Sequence, residues 1–343
     1  MATGFPVKAD YATGDVLTAA NMNDLSGTLN TIQSVEYAAG KNKVINGDFN
    51  VWQRGTTFTN PAGDSYTADR FMIDYGTAAP TSNSVTRQTF TPGTAPVAGY
   101  EGVFFFRSTL TTVGTTSRLS IHHKIENVQT YAGQTVTLSF WAKADSARTL
   151  AGFIQQNFGS GGSTTVSTAI TSQSVTTAWT RFSMQVAVPS ISGKTIGTSS
   201  FLNIRLDQAV AAGSVLDLWG LQLEASSTVS DFQTATGTLQ GELAACQRYF
   251  QVIGGVSSGF PIVTGYVSAS SQTLRWPISF PVQMRTAPTA TKNGTWAISN
   301  SGQPSASFIN AQGFSFEITS TSSGIIYVHP DGTDDTITFS SEL

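Results

Sequence analysis

Asn46-Gly47-Asp48-Phe49-Asn50-Val51-Trp52 and Leu216-Asp217-Leu218-Trp219-Gly220-Leu221-Gln222-Leu223-Glu224 bracket the middle of the chain and read as the first and last strands of one β-sandwich. Between them lie short β-branched and aromatic runs separated by Gly, Ser, Thr, Asn and Asp, with no helical pattern. Val136, Leu138, Phe140 and Ala142 alternate with Thr135, Thr137 and Ser139, as a strand with one apolar side requires. Strands are expected at about 44–52, 70–75, 84–90, 100–108, 117–124, 135–144, 151–158, 166–174, 180–188, 201–206 and 215–224. Two packed antiparallel sheets in a double Greek key accommodate them.

Composition agrees. Charged residues make up 11% of the 343, against roughly 25% in ordinary globular chains, so Ser, Thr, Asn, Gln and Gly must cover the surface. A hydrophobic fraction of 40% with a net charge of −3 argues for ordered structure. The 18 basic residues are scattered among 21 acidic ones, which argues against nucleic acid. Cys246 is the single cysteine, so an intrachain disulfide and a thiolate zinc cluster are excluded. No apolar run reaches membrane-spanning length, and no signal-peptide pattern opens the sequence.

Four stretches carry a family resemblance. They are Val44 to Gly55, Thr67-Ala68-Asp69-Arg70-Phe71, Thr137 to Ala144, and Gly220-Leu221-Gln222-Leu223-Glu224 with Asp231-Phe232 following. Together they resemble the carbohydrate-binding-module-like jelly rolls of bacteriophage tail fibres and spikes. Glu242 to Phe250 looks like the short helix that follows such a jelly roll. Met284-Arg285-Thr286-Ala287-Pro288 resembles a strand junction of phage fibre tips. The resemblance implies an all-β chain: a jelly-roll β-sandwich over 44–236, preceded by a short helical anchor in 1–43 and followed by a helix and small C-terminal β-sandwich domain over 237–343.

In 1–43, Thr18 is a plausible N-cap, and Met22, Leu25, Leu29, Ile32 and Val35 recur at helical spacing as one narrow apolar stripe. That stripe suits self-association or docking onto a virion, the alternative being packing against its own jelly roll. The resemblance adds a homotrimer.

Candidate chemistry is sparse. His122 and His123 are adjacent in a strand and so point to opposite faces. No H-E-x-x-H, G-x-S-x-G or phosphate-loop motif is present, and no carboxylate pair is tied to a cleft, so an enzyme is not expected. In related modules a structural calcium is often held by the first-strand motif and an aspartate of the last strand. The matching positions are Asp48, Asn50 and Asp217, with Asn50 replacing a glutamate and weakening the expected affinity. The alternative is ordinary hydrogen bonding at the sandwich edge. Among the tryptophans, Trp141 and Trp219 are expected in the core, and Trp276 and Trp296 are the candidates for an exposed sugar-stacking platform.

The reading is a non-enzymatic virion protein made in the host cytoplasm and binding a host-surface glycan. A purely structural decoration protein and a glycan depolymerase are the rivals.

Overall fold

A computed structural model describes residues 40–97, 100–255 and 261–343, and the helix expected around Met22, Leu25, Leu29, Ile32 and Val35 lies outside them. The sandwich strands are β1 Thr57–Thr59, β2 Ser65–Tyr66, β3 Phe71–Tyr75, β4 Ser82–Thr89, β5 Phe104–Thr112, β6 Leu119–Glu126, β7 Thr135–Ala144, β8 Arg148–Asn157, β9 Val166–Ala169, β10 Gln173–Val175, β11 Thr180–Ala187, β12 Phe201–Gln208 and β13 Ser214–Glu224. They form a six-stranded sheet I, ordered β1-β4-β5-β13-β7-β11, and a seven-stranded sheet II, ordered β10-β8-β12-β6-β3-β2 with β9 paired to β8. Every pairing is antiparallel, and the chain crosses between sheets from β5 to β6, β6 to β7 and β7 to β8, as a jelly roll does.

Inward residues alternate along each strand. Leu138 and Phe140 on β7, Leu202, Ile204 and Leu206 on β12, and Ile121 on β6 meet in one buried core. Each such side chain stabilises the fold by about 1.5–3 kcal/mol. A second cluster lies on the outer face of sheet I, where Trp141 and Trp219 pack with Phe90, Phe105 and Phe232. Both tryptophans are therefore buried, though not between the sheets. The 225–232 segment covers them, held by Thr137 Oγ1 donating to the Ser226 carbonyl and Ser230 donating to Glu224.

The opening motif is not a strand. Asn46 and Phe49 take positive φ values of 61° and 56°, so residues 45–48 turn tightly. The Asn46 side chain closes that turn by bonding both backbone groups of Val51 and the carbonyl of Asp69. Gly47 is required because a Cβ there would stand 2.2 Å from the Leu221 carbonyl oxygen of β13. The same contact carries the Leu221 N–H to Gly47 O bond at 2.9 Å. The motif thus meets the last strand, as a wedge and not as a partner strand.

Helix α1, Leu239–Gln247, is capped by Thr238 and leads into β14 Phe250–Gly254, β15 Val263–Val267, β16 Thr273–Ser279, β17 Thr289–Lys292, β18 Ala297–Ser299, β19 Ser305–Asn310, β20 Gly313–Thr319, β21 Gly324–His329 and β22 Thr336–Ser340. These strands form three three-stranded sheets, β14-β22-β17, β15-β21-β18 and β16-β20-β19, around a core of their own that includes Phe314, Phe316, Trp296, Ile326 and Phe339.

Charged contacts join the tail to the sandwich. Arg70, only 1% exposed, pairs with Glu342 and lies 3.5 Å from the centre of the Tyr249 ring. Arg54 bonds Glu342 at 2.8 Å and Asp69 at 3.3 Å, and covers the Phe250 ring at 3.6 Å. Glu242 of α1 accepts from the Asn46 N–H at 2.6 Å and from Thr236. Replacing Glu342 by Ala leaves Arg70 buried without its counter-ion. We expect it to lower the unfolding free energy by about 3–5 kcal/mol in urea titrations, with Glu342→Gln costing less; an unchanged midpoint for Glu342→Ala would contradict the network's role.

Candidate functional site

The outer face of sheet II is where polar side chains concentrate. Strand β12 sends Leu202, Ile204 and Leu206 inward, so Asn203, Arg205 and Asp207 stand outward. Register places three rows across the sheet. Phe153 of β8, Arg205 of β12, His122 of β6 and Met72 of β3 form one row; Gln155, Asn203 and Lys124 form a second; Asp207, Ser120 and Asp74 form a third.

The hydrogen bonds fix this face. Asn203 Nδ2 donates to His122 Nδ1 and to Gln155 Oε1, both at 2.9 Å, which uses both of its hydrogens. Because Nδ1 of His122 accepts, its proton is on Nε2. Gln155 donates onward to Ser167 Oγ at 3.0 Å. Arg205 bonds Asp207 through Nε at 2.7 Å and Nη2 at 2.6 Å, Ser120 adds a third bond to Asp207 at 2.6 Å, and the Arg205 guanidinium lies 4.8 Å from the centre of the Phe153 ring. Asp74 pairs with Arg118.

Two atoms are left over. Asn203 Oδ1, in a residue 3% exposed, and His122 Nε2, in a residue 8% exposed, are buried and have no hydrogen-bond partner among the described residues. Asp74 Oδ2 is 3.8 Å from His122 Nε2, beyond hydrogen-bond reach. An unpartnered buried polar group costs about 1–3 kcal/mol, so this face holds one donor and one acceptor that the described residues leave unsatisfied. Each is the kind of group a separate hydroxyl engages, one donating to Oδ1 and another accepting from the ring N–H. Phe153, half-buried beside them, offers an apolar ring.

Part of the face is closed. Lys124 Nζ and Tyr66 Oη donate to the Leu343 carbonyl at 2.6 and 3.1 Å, and Arg248 pairs with Glu126 at 3.0 Å. The tail thus covers one end of β6; further along the same side lie His122 and Ser120, 8% and 0% exposed, with Ser120 bonded to Asp207. His123 points inward instead, against Phe71 at 4.9 Å, with no partner for either ring nitrogen among the described residues. Burial, aided by Arg70, holds its pKa well below the ordinary histidine value.

The expected calcium ligands are not brought together. Asp48 accepts from Asn50 Nδ2 at 2.6 Å and from Tyr100 Oη at 3.1 Å, and Asn50 Oδ1 is a buried acceptor without a partner among the described residues. Those two residues would fit one edge of an oxygen site. Asp217, however, is bonded by Arg107 at 2.6 and 2.8 Å and lies 3.5 Å from Lys143 on the outer face of sheet I. The third oxygen ligand is committed to cations, so the set of Asp48, Asn50 and Asp217 does not fit one calcium ion. Among the described residues no group of three or more His, Cys, Asp or Glu is placed to hold a metal.

The two tail tryptophans are not exposed platforms. Trp296 is 1% exposed in the tail core, its Nε1 donating to the Asn293 carbonyl at 3.2 Å. Trp276 is partly buried against the same core. Alternation carried that signal: Leu274, Trp276 and Ile278 share the inner side of β16, while Thr273, Arg275 and Pro277 face out. The aromatic residues that do face out in the tail are Tyr266, Phe308 and Tyr327.

No family model matches the chain, and no curated protein matches it. Among solved structures it is similar to the enzymatically active domain of tailspike protein 4 of bacteriophage CBA120, at 16% identity over 55% of this chain and a TM-score of 0.36; the match spans 22% of that tailspike chain. It is also similar to the C-terminal family 22 carbohydrate binding module of a Clostridium thermocellum protein, at 17% identity over 52% of this chain and 97% of that one, with a TM-score of 0.33. A putative sugar binding protein from Bacteroides thetaiotaomicron gives 11% identity over 54% of this chain and 100% of that one, with a TM-score of 0.34.

Burial pulls the pKa of His122 down from 6.5 to about 4, with Asp74 pulling the other way. The unfolded chain therefore takes up the proton first as pH falls. The stability contributed by neutral His122 is complete above about pH 6.5 and is lost as pH drops toward about 4. An NMR titration of the His122 ring should inflect near pH 4; inflection at the ordinary value of 6.5 would contradict the buried, neutral donor.

Proposed function

We propose that this chain is a non-enzymatic carbohydrate-binding virion protein of the fibre or spike type, which attaches to a host-surface glycan through the open part of sheet II. The observation that carries the reading is the buried, unsatisfied pair of Asn203 Oδ1 and His122 Nε2 beside the Phe153 ring. A saccharide presents what that arrangement lacks: hydroxyls that donate and accept at once, and an apolar C–H face for an aromatic ring. Both Asp74 and Asp207 are committed to arginines, so neither carboxylate is free to face a glycosidic oxygen, which supports binding without cleavage. The virion setting rests on the resemblance of the quoted motifs. On that reading 1–43 holds the protein to the particle through the stripe of Met22, Leu25, Leu29, Ile32 and Val35, the chain is made in the bacterial cytoplasm, and it assembles as a homotrimer.

On a glycan array, the full chain should bind a saccharide, and Asn203→Ala or Phe153→Ala should weaken that binding about tenfold or more, a difference of about 1.4 kcal/mol. Trp276→Ala should leave it unchanged. Absence of binding to any glycan, or equal binding by Asn203→Ala, would overturn the site and favour a purely structural decoration protein. Light scattering of the full chain should give a mass near three times 36.2 kDa; a stable monomer would overturn the trimer.

A further inference from the structure

Phe308 is 70% exposed and takes a positive φ of 49°, a conformation in which a bulky side chain is strained. It stands in a β-bulge, where the register between β19 and β20 shifts between Ser307 and Asn310. The inner side of this sheet is apolar, with Leu274, Trp276, Ile278, Phe314 and Phe316 turned to the tail core. The outer side is different. Arg275 Nε bonds Glu317 Oε2 at 2.6 Å, Ser307 Oγ donates to the same oxygen at 2.8 Å, and the Arg275 guanidinium lies 5.2 Å from the centre of the Phe308 ring. Both Nη groups of Arg275 and Oε1 of Glu317 make no hydrogen bond to the described residues. The Ser307 hydroxyl, with Arg275 adding to it, holds the Glu317 carboxyl below its ordinary range.

We infer that Phe308, Arg275 and Glu317 form a second carbohydrate subsite, separate from the sheet II face, which takes a single neutral pyranose ring. The ring would stack on Phe308, while neighbouring hydroxyls accept from Arg275 Nη and donate to Glu317 Oε1. The surroundings favour a sugar over a protein partner. A docking face for protein is a contiguous apolar patch of several hundred Å², whereas Phe308 is one ring bordered by Ser307, Ser315, Arg275 and Glu317. One phenyl ring with a fixed ion pair at its edge matches one sugar ring in size and in hydrogen-bonding character. The strain has the same direction: the bulge holds the ring outward although the backbone disfavours it.

Saturation-transfer NMR tests this on the full chain, with D-glucose, D-galactose, N-acetyl-D-glucosamine and L-rhamnose as probes. At least one sugar should receive saturation from the wild type and from Asn203→Ala, and the signal that persists in Asn203→Ala should fall about tenfold when Phe308→Ala or Glu317→Gln is added. No transfer to any of the four, or transfer in Asn203→Ala unchanged on adding Phe308→Ala, would overturn the subsite. Phe308→Gly separates binding from folding. Because glycine accepts the positive φ, it should abolish the transfer that persists in Asn203→Ala while the thermal midpoint holds or rises. A lowered midpoint would make the ring a structural element and overturn the assignment. Transfer lost only in Asn203→Ala would place the sugar on sheet II instead.

Discussion

Glu342, buried between Arg54 and Arg70, is the contact on which the rest of the arrangement depends. Charges are scarce in this chain, and a buried guanidinium is tolerated only when it is paired. Arg70 also lies over Tyr249, and Arg54 over Phe250, so the residues that follow α1 are drawn to the opening motif of the sandwich. Glu242 reinforces this from the helix by accepting the Asn46 N–H. The motifs that marked a family in the sequence are therefore joints. Gly47 touches β13, Asn46 ties the turn to Asp69, Asp69 holds Arg54, and Arg54 and Arg70 reach the tail.

That joint decides which surface remains open. By bringing Leu343 and Arg248 to Lys124, Tyr66 and Glu126, it closes one end of the outer face of sheet II. The outer face of sheet I is roofed by Phe90, Phe232 and the 225–232 segment. What remains is the row through Phe153, Arg205 and His122, with Asn203 next to it. Buried polar atoms without a partner also occur elsewhere among the described residues, at Asn50, Ser108, His123 and Gln156 for example. What distinguishes Asn203 Oδ1 and His122 Nε2 is that both belong to the outward row of sheet II, near the Phe153 ring.

Much of the architecture was legible in the sequence because alternation is local. Thr135–Ala144 begins and ends where its alternation does. The 44–52 stretch reads as a strand by composition, but the turn at Asn46 and the left-handed Phe49 defeat it, since positive φ at a bulky residue leaves no pattern. The outward set Asn203, Arg205 and Asp207 is visible as alternation. Its partners His122, Gln155 and Phe153 are 48 or more residues away and meet it only through register, so the site was not legible. For the same reason Asp217 gave no sign that Arg107 would take its carboxylate.

The most direct test of the carbohydrate-binding account is where amide exchange slows when a saccharide binds. Hydrogen–deuterium exchange of the full chain, with and without the strongest ligand from a glycan array, should show added protection in Leu119–Glu126, Arg148–Asn157 and Phe201–Gln208. Protection confined to sheet I, or no change in those three strands, would contradict it.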